Sequence, residues 1–182
     1  MSQFISNQPL AHKKKYLGEL YDFPSETMAV GRLDEPSEGL LILTTDGSLS
    51  ERIRSRLVEK AYWVQVDGLI DQTAIDQLQR GVPIKVEGKL HLSKLKVTQI
   101  EKPAKLPIRA KPIRDERHGP TAWLSVVSNE GKFRQIRKTT AAVGLPSLRL
   151  IRNRIGSITL SQLGEDICTE VEGNFIKNQL LC

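Results

Sequence analysis

The sequence comprises 182 residues with a formal net charge of +6 and a pI of about 9.4, which favours an anionic partner, with nucleic acid as the first candidate. Its 39% hydrophobic content is typical of a globular protein with one core, and no apolar run approaches the roughly 20 residues that span a bilayer. Two cysteines exclude a disulfide framework and a paired zinc site, and the N-terminus has no secretory signal pattern, so we expect a cytosolic protein.

The stretch 29–49 places a carboxylate beside a core element. Within it, Gly-Arg-Leu-Asp ends at Asp34, a turn rich in Pro, Ser and Gly follows, and Gly-Leu-Leu-Ile-Leu then indicates a buried strand or helix. Because proline presets one φ angle and glycine admits positive φ, we expect this loop to be ordered and to hold Asp34 in one place. From these residues alone, a surface loop with its acids facing water is the commoner interpretation.

Hydrophobic periodicity predicts the next elements along the chain. Apolar residues at four-residue steps indicate an amphipathic helix over 48–57, with arginines on its other sides. A β-rich alternation predicts a strand over 60–68, with Tyr62 on one of its faces. From this pattern alone, Tyr62 can be an ordinary core aromatic rather than a functional residue. A short helix over 71–81 and strands around tight turns over 82–100 follow.

The second half of the chain joins basic loops to regular elements. Residues 101–120 hold four prolines among lysines and arginines, so they form neither a regular helix nor a central strand; a linker between lobes and an RNA-contacting loop both remain open. A strand over 123–128, a helix over 133–144 and an extended segment over 148–160 are predicted. With no His/Cys cluster and no phosphate-binding glycine motif, we expect no cofactor and no metal.

Three motifs stand in a fixed order. They are Gly-Arg-Leu-Asp followed by Ser-Glu-Gly-Leu-Leu, then Lys-x-Tyr-x-Val-x-Val-x-Gly, then Glu-Gly-x-x-Arg-Gln-Ile-Arg. In this order, over about residues 29–160, they closely resemble the RNA pseudouridine synthases of the RsuA type. The resemblance implies an α+β fold in which a bent, largely antiparallel mixed sheet is flanked by helices, and an enzyme that isomerises a uridine of ribosomal RNA to pseudouridine.

The resemblance also implies the roles of individual residues. It makes Asp34 the catalytic aspartate, Tyr62 the tyrosine that lies against the target uracil, and Arg137 the cation that pairs with the aspartate. Glu35 and Glu38 are not retained as candidates. RNA contacts are expected from Arg32, Lys60, Arg134, Lys138, Arg149 and Arg152.

These residue types suit the implied chemistry. The uracil must detach from C1′, rotate and reattach through C5, which requires a nucleophile and a clamp rather than a redox or phosphoryl cofactor. A carboxylate can attack either the sugar or the ring, and an opposite charge within a few ångströms keeps it ionised. A tyrosine face can hold the uracil by stacking.

Finer features of the sequence resemble the RluE branch of the family. They are the Lys-Pro-Ile-Arg of residues 111–114 and the segment 144–152, and they imply that the partner is 23S rRNA of the large ribosomal subunit. Arg134 departs from the family, because many members have histidine there. A synthase acting on 16S rRNA or tRNA, and a non-catalytic RNA-binding or ribosome-assembly module, are the alternatives.

The domain organisation is also predicted from this resemblance. Only 28 residues precede Ala29, too few for the small N-terminal S4 domain of many relatives. We therefore expect a single monomeric catalytic domain over 1–182, in two lobes, whose first family strand is trimmed or missing.

Overall fold

Fourteen strands and helices, in chain order, make up the fold within the described residues of the computed structural model. The structure describes residues 4, 15–109, 112–113, 116–164 and 166–180. The strands are β1 (Met28–Ala29), β2 (Glu38–Gly39), β3 (Leu43–Thr44), β4 (Lys60–Asp67), β5 (Val82–Val86), β6 (Lys89–Ser93), β7 (Lys96–Ile100), β8 (Thr121–Ser128), β9 (Ser147–Ile155) and β10 (Ile158–Thr159). The helices are α1 (Gly47–Arg54), α2 (Gln72–Arg80), α3 (Gln135–Ala142) and α4 (Gly173–Gln179).

A six-stranded mixed sheet is the centre of the fold. Its antiparallel strands run in the order β10, β9, β4, β8, β7, and β2 joins β9 in parallel. Strands β1 and β3 form a separate pair, as do β5 and β6, which form a hairpin. This confirms the predicted α+β class and largely antiparallel sheet. None of the described helices is long and apolar enough to cross a membrane.

Helix ends explain where the predicted boundaries were wrong. Helix α1 begins after Asp46, whose Oδ1 accepts a hydrogen bond from the Leu49 amide at 3.0 Å, but it ends at Arg54. Ser55 is extended and Leu57 is 88% exposed, so the last apolar step of the predicted helix faces solvent. Helix α3 begins two residues later than predicted because Arg134 is left-handed, with φ 52° and ψ 30°.

Two clusters of buried side chains are packed around the main sheet. The larger cluster joins strand residues such as Val64 and Leu124 to Leu78 of α2 and Ile136 of α3. The smaller cluster lies around the β1–β3 pair and α1, and it takes in Ile176 of α4, a helix that the sequence pattern did not indicate. The cleft described next is lined by residues of both clusters.

The contact between β2 and β9 fixes the position of the Asp34 loop. The Leu40 amide donates to the Arg152 carbonyl oxygen at 2.8 Å. Gly39 has φ +98°, and a Cβ at this position would overlap the Arg152 backbone, so only glycine fits here. The loop that carries Asp34 is therefore attached to the main sheet four residues beyond the carboxylate.

Candidate active site

A cleft of about 240 Å³ opens beside the Asp34 loop. One wall is formed by the loop 30–34 with Ser37, and the other by residues 130–132 and 134–136, while β4 and β9 supply the floor. Its lining is rich in cations: Arg32, Arg54, Lys60, Lys132, Arg134 and Arg152. Such a lining attracts a polyanion.

Asp34 is held in this wall by a turn. The Ser37 amide donates to the Asp34 carbonyl oxygen at 2.8 Å, which closes the turn after the carboxylate. The Asp34 side chain is 22% exposed, so a substrate in the cleft can reach it. Its Oδ2 lies 3.7 Å from Nε of Arg137, which is an ion pair rather than a hydrogen bond.

Arg137 reaches the same turn from α3. Its Nη2 donates to the Pro36 carbonyl oxygen at 3.3 Å and to Ser37 Oγ at 3.1 Å, while Nη1 donates to the Ser147 carbonyl oxygen at 3.3 Å. Burial lowers the pKa of Arg137, and the neighbouring Asp34 carboxylate acts in the opposite direction. The guanidinium therefore both fixes the turn and faces the carboxylate with a positive charge.

Tyr62 lies in the cleft floor on β4. It is half-buried, packs against the larger core and stands opposite Arg152 of β9 in the strand register. Burial lowers the pKa of Arg152, and the Tyr62 hydroxyl partly offsets this effect. The three residues predicted to form the site, Asp34, Tyr62 and Arg137, thus meet at one place: two line the cleft and the third lies behind Asp34.

The predicted RNA-contacting residues fall into two groups. Arg32 and Arg134 are exposed in the cleft wall, and Lys60 is a half-buried lining residue. Lys138 is half-buried too, but it lies outside the cleft lining, and its Nζ donates to the Lys85 carbonyl oxygen at 2.7 Å. These four remain available to an anionic ligand.

Arg149 and Arg152 both have internal hydrogen-bond partners, and of the two only Arg152 lines the cleft. The Arg149 side chain is 9% exposed, and its Nε and Nη2 donate to the two Glu38 oxygens at 2.9 and 2.7 Å. Arg152 is buried, and its Nε donates to the Leu40 carbonyl oxygen at 2.7 Å. The charge of a residue in the sequence does not reveal that its guanidinium has an internal partner.

Glu38, which was not predicted to be a site residue, lies between two arginines. Besides Arg149, it accepts a hydrogen bond from Nη1 of Arg109 at 2.8 Å. Nη2 of Arg149 also donates to the Pro107 carbonyl oxygen at 2.6 Å. One carboxylate therefore joins β2, β9 and the proline-rich segment 101–109. We call this cluster of Glu38, Arg109 and Arg149 the Glu38 junction.

Residues 3–142 match the family model described as RNA pseudouridylate synthase. The chain belongs to the RNA pseudouridylate synthase family. This membership confirms the family resemblance that was predicted from the three sequence motifs.

Relatives of known name are similar over most of the chain. "Ribosomal large subunit pseudouridine synthase E" of Xanthomonas axonopodis is 39% identical over 166 residues, which cover 90% of this chain and 84% of that protein. The protein of the same name from Vibrio parahaemolyticus is 40% identical over 140 residues, covering 76% of this chain but only 57% of the relative. "Ribosomal large subunit pseudouridine synthase B" of Yersinia pestis is 38% identical over 138 residues, covering 75% of this chain and 38% of the relative.

A solved structure shares the fold. "Crystal structure of pseudouridylate synthase" superposes with a TM-score of 0.68 at 23% identity, over 90% of this chain and 65% of the other. At this identity the likeness concerns the fold alone. It agrees with the mixed sheet and flanking helices described above.

Proposed function

We propose that this chain isomerises a uridine of large-subunit ribosomal RNA to pseudouridine, with Asp34 as the nucleophile. The observation that carries the proposal is the Asp34–Arg137 pair, 3.7 Å apart, in the wall of a cationic cleft whose floor holds Tyr62. The names of the relatives quoted above support ribosomal RNA of the large subunit as the substrate.

The reaction needs little beyond these side chains. The N1–C1′ bond breaks and a C5–C1′ bond forms, while C5 gives up a proton and N1 gains one, so no atom is added or removed. The Asp34 carboxylate supplies the electron pair that attacks the sugar or the ring and is released when the new C–C bond forms. Throughout, the detached base has to remain in the cleft.

Tyr62 and Arg137 serve the same step in different ways. The Tyr62 ring offers the uracil a face on which to stack while it turns. Arg137 faces the Asp34 carboxylate with a positive charge and keeps the turn 34–37 in place by its hydrogen bonds. The exposed cations of the walls, Arg32 and Arg134, then hold the phosphates of an RNA whose target nucleotide has left its stack.

The decisive experiment compares Asp34→Asn with the wild type on ribosomal RNA from a strain that lacks the protein. Asparagine has the shape of aspartate but no nucleophilic charge, so we expect pseudouridine formation to disappear. Glu35→Gln changes the adjacent acid of the same loop and should retain activity. Normal turnover by Asp34→Asn would remove Asp34 as the nucleophile.

Mapping pseudouridine across total RNA of the same strain identifies the substrate. Loss of one modification in 23S rRNA is the expected result. Loss in 16S rRNA or tRNA would correct the substrate, and no loss anywhere, with tight RNA binding, would indicate a non-catalytic RNA-binding module.

Because one chain holds the whole cleft, we also propose that it acts as a monomeric catalytic domain, which light scattering can test.

A further inference from the structure

Phe133 is a large aromatic side chain at the rim of the cleft. It belongs to the loop between β8 and α3, and the residues around it, Gly131, Lys132 and Arg134, all line the cleft. Phe133 itself does not line the cleft and is 60% exposed. The next residue, Arg134, adopts a left-handed conformation, which bends the chain between the outward ring and the cleft wall.

One cation lies over this ring, and two more flank Phe133 in the chain. Nζ of Lys138 lies 5.3 Å from the ring centroid, and the hydrogen bond from Nζ to the Lys85 carbonyl oxygen holds the ammonium group there. Lys132 and Arg134, on either side of Phe133 in the chain, are exposed. An apolar protein surface would have to bury these charges unpaired, whereas an anionic polymer with flat rings matches both the charges and the aromatic face.

When a nucleotide flips out of an RNA stack, a neighbouring base is left with an exposed face on which such a ring can stack. When the target base leaves its stack, the bases on either side of it lose one stacking neighbour. An aromatic side chain can cover the face that has been uncovered, and it does so for any base because every base has a π-face.

We propose that Phe133 is a stacking platform for an unpaired RNA base beside the target nucleotide, with Lys138 covering the opposite face of the ring. This inference rests on the proposed function for the identity of the RNA. It adds a binding site outside the cleft to the site that holds the target uracil.

The test measures binding of a short single-stranded oligouridylate by fluorescence anisotropy and isomerisation of 23S rRNA by the same variants. Loss of a base–aromatic stack raises Kd by roughly tenfold, so we expect that change in Phe133→Ala, with the loss of activity appearing in KM. Phe133→Tyr should bind like the wild type. Phe133→Leu, which is apolar but has no π-face, should behave like Phe133→Ala.

Leu57→Ala provides the matched control, since Leu57 is an exposed apolar residue outside the cleft lining, and it should leave Kd unchanged. Wild-type Kd values for both Phe133→Ala and Phe133→Leu would overturn the proposal. So would full binding by Phe133→Leu alone, since it would indicate a simple apolar contact. If the wild type forms no pseudouridine but the Phe133 series still behaves as expected, the proposed function fails and the stacking site stands.

Discussion

Lys60 shows how a single residue is changed by its surroundings. It is a half-buried residue of the cleft, and its Nζ donates to the Ser55 carbonyl oxygen at 3.2 Å. Burial, together with the nearby charge of Arg152, lowers the pKa of Lys60 to about 8. Lys60 is therefore a cation below about pH 8 and neutral above it.

This pKa predicts a pH dependence of RNA binding. The protonated form attracts phosphate and the neutral form does not, so Kd for RNA should rise as the pH is raised from 7 through about 8 to 9. In Lys60→Arg the charge persists across this range, so the rise should be absent. Anisotropy titrations at constant ionic strength measure both proteins, and an equal rise in both would show that another group titrates.

At the scale of single residues, the order of the motifs was more informative about the cleft than the charge of individual arginines was. Asp34, Tyr62 and Arg137 were predicted from the family resemblance that the three motifs carry, and the structure pairs Asp34 with Arg137 at 3.7 Å beside the cleft that Tyr62 lines. The internal pairing of Arg149 was not predicted, because its partner Glu38 is 111 residues away in the chain. No local pattern reports that contact.

Among the elements, the Glu38 junction ties β2 to β9 and to the segment 101–109. The Glu38 side chain is 18% exposed, so the charges of the junction are partly desolvated and depend on one another. Removal of the Glu38 charge therefore weakens the contacts of two strands and a loop together. The segment was expected to be either a linker or an RNA-contacting loop, and the junction shows that its end is anchored beside the Asp34 loop.

We predict that Glu38→Gln destabilises the protein by about 2–3 kcal/mol, because two guanidinium groups lose their counter-charge inside the fold. Chemical denaturation measures the loss, and faster tryptic cleavage after Lys105 would locate it in the segment. Glu59→Gln is the matched control: Glu59 pairs with Lys96 at 2.6 Å at an exposed site and should cost less than about 1 kcal/mol. Equal losses would mean that the junction has no special role.

Element boundaries were predictable only where local chemistry decides them. Helix α2 follows its pattern because Asp71 caps its start and Gly81 ends it with φ 124°. Helix α3 was placed two residues early, because the left-handed Arg134 is a tertiary feature. Helix α4 was missed because its burial rests on Ile176 meeting a cluster built from distant parts of the chain.

The whole molecule carries a net charge of +6, and its cleft concentrates part of that charge. Single-stranded RNA binding should therefore weaken steeply with salt. Each phosphate contact contributes about 0.7 to the slope of log Kd against log salt.

We predict that Arg32→Gln and Arg134→Gln each lower this slope by about 0.7, since both side chains are exposed in the cleft walls. Arg80→Gln removes a cation outside the cleft lining, one that pairs with Asp76 at 3.0 Å, and should leave the slope unchanged. Anisotropy titrations over a range of salt concentrations give all four slopes. A uniform decrease in the three variants would indicate a diffuse charge effect rather than contacts in the cleft.

The pairing of β2 with β9 also sets the time at which the enzyme becomes complete during synthesis. Leu40 and Arg152 are 112 residues apart, so a ribosome adding roughly 5–20 residues per second needs on the order of ten seconds to pass from one to the other. Until β9 emerges, the segment with Asp34 has no sheet to join, and Arg137 has no Ser147 carbonyl to hold it. A nascent chain therefore carries Asp34 long before it has the complete cleft.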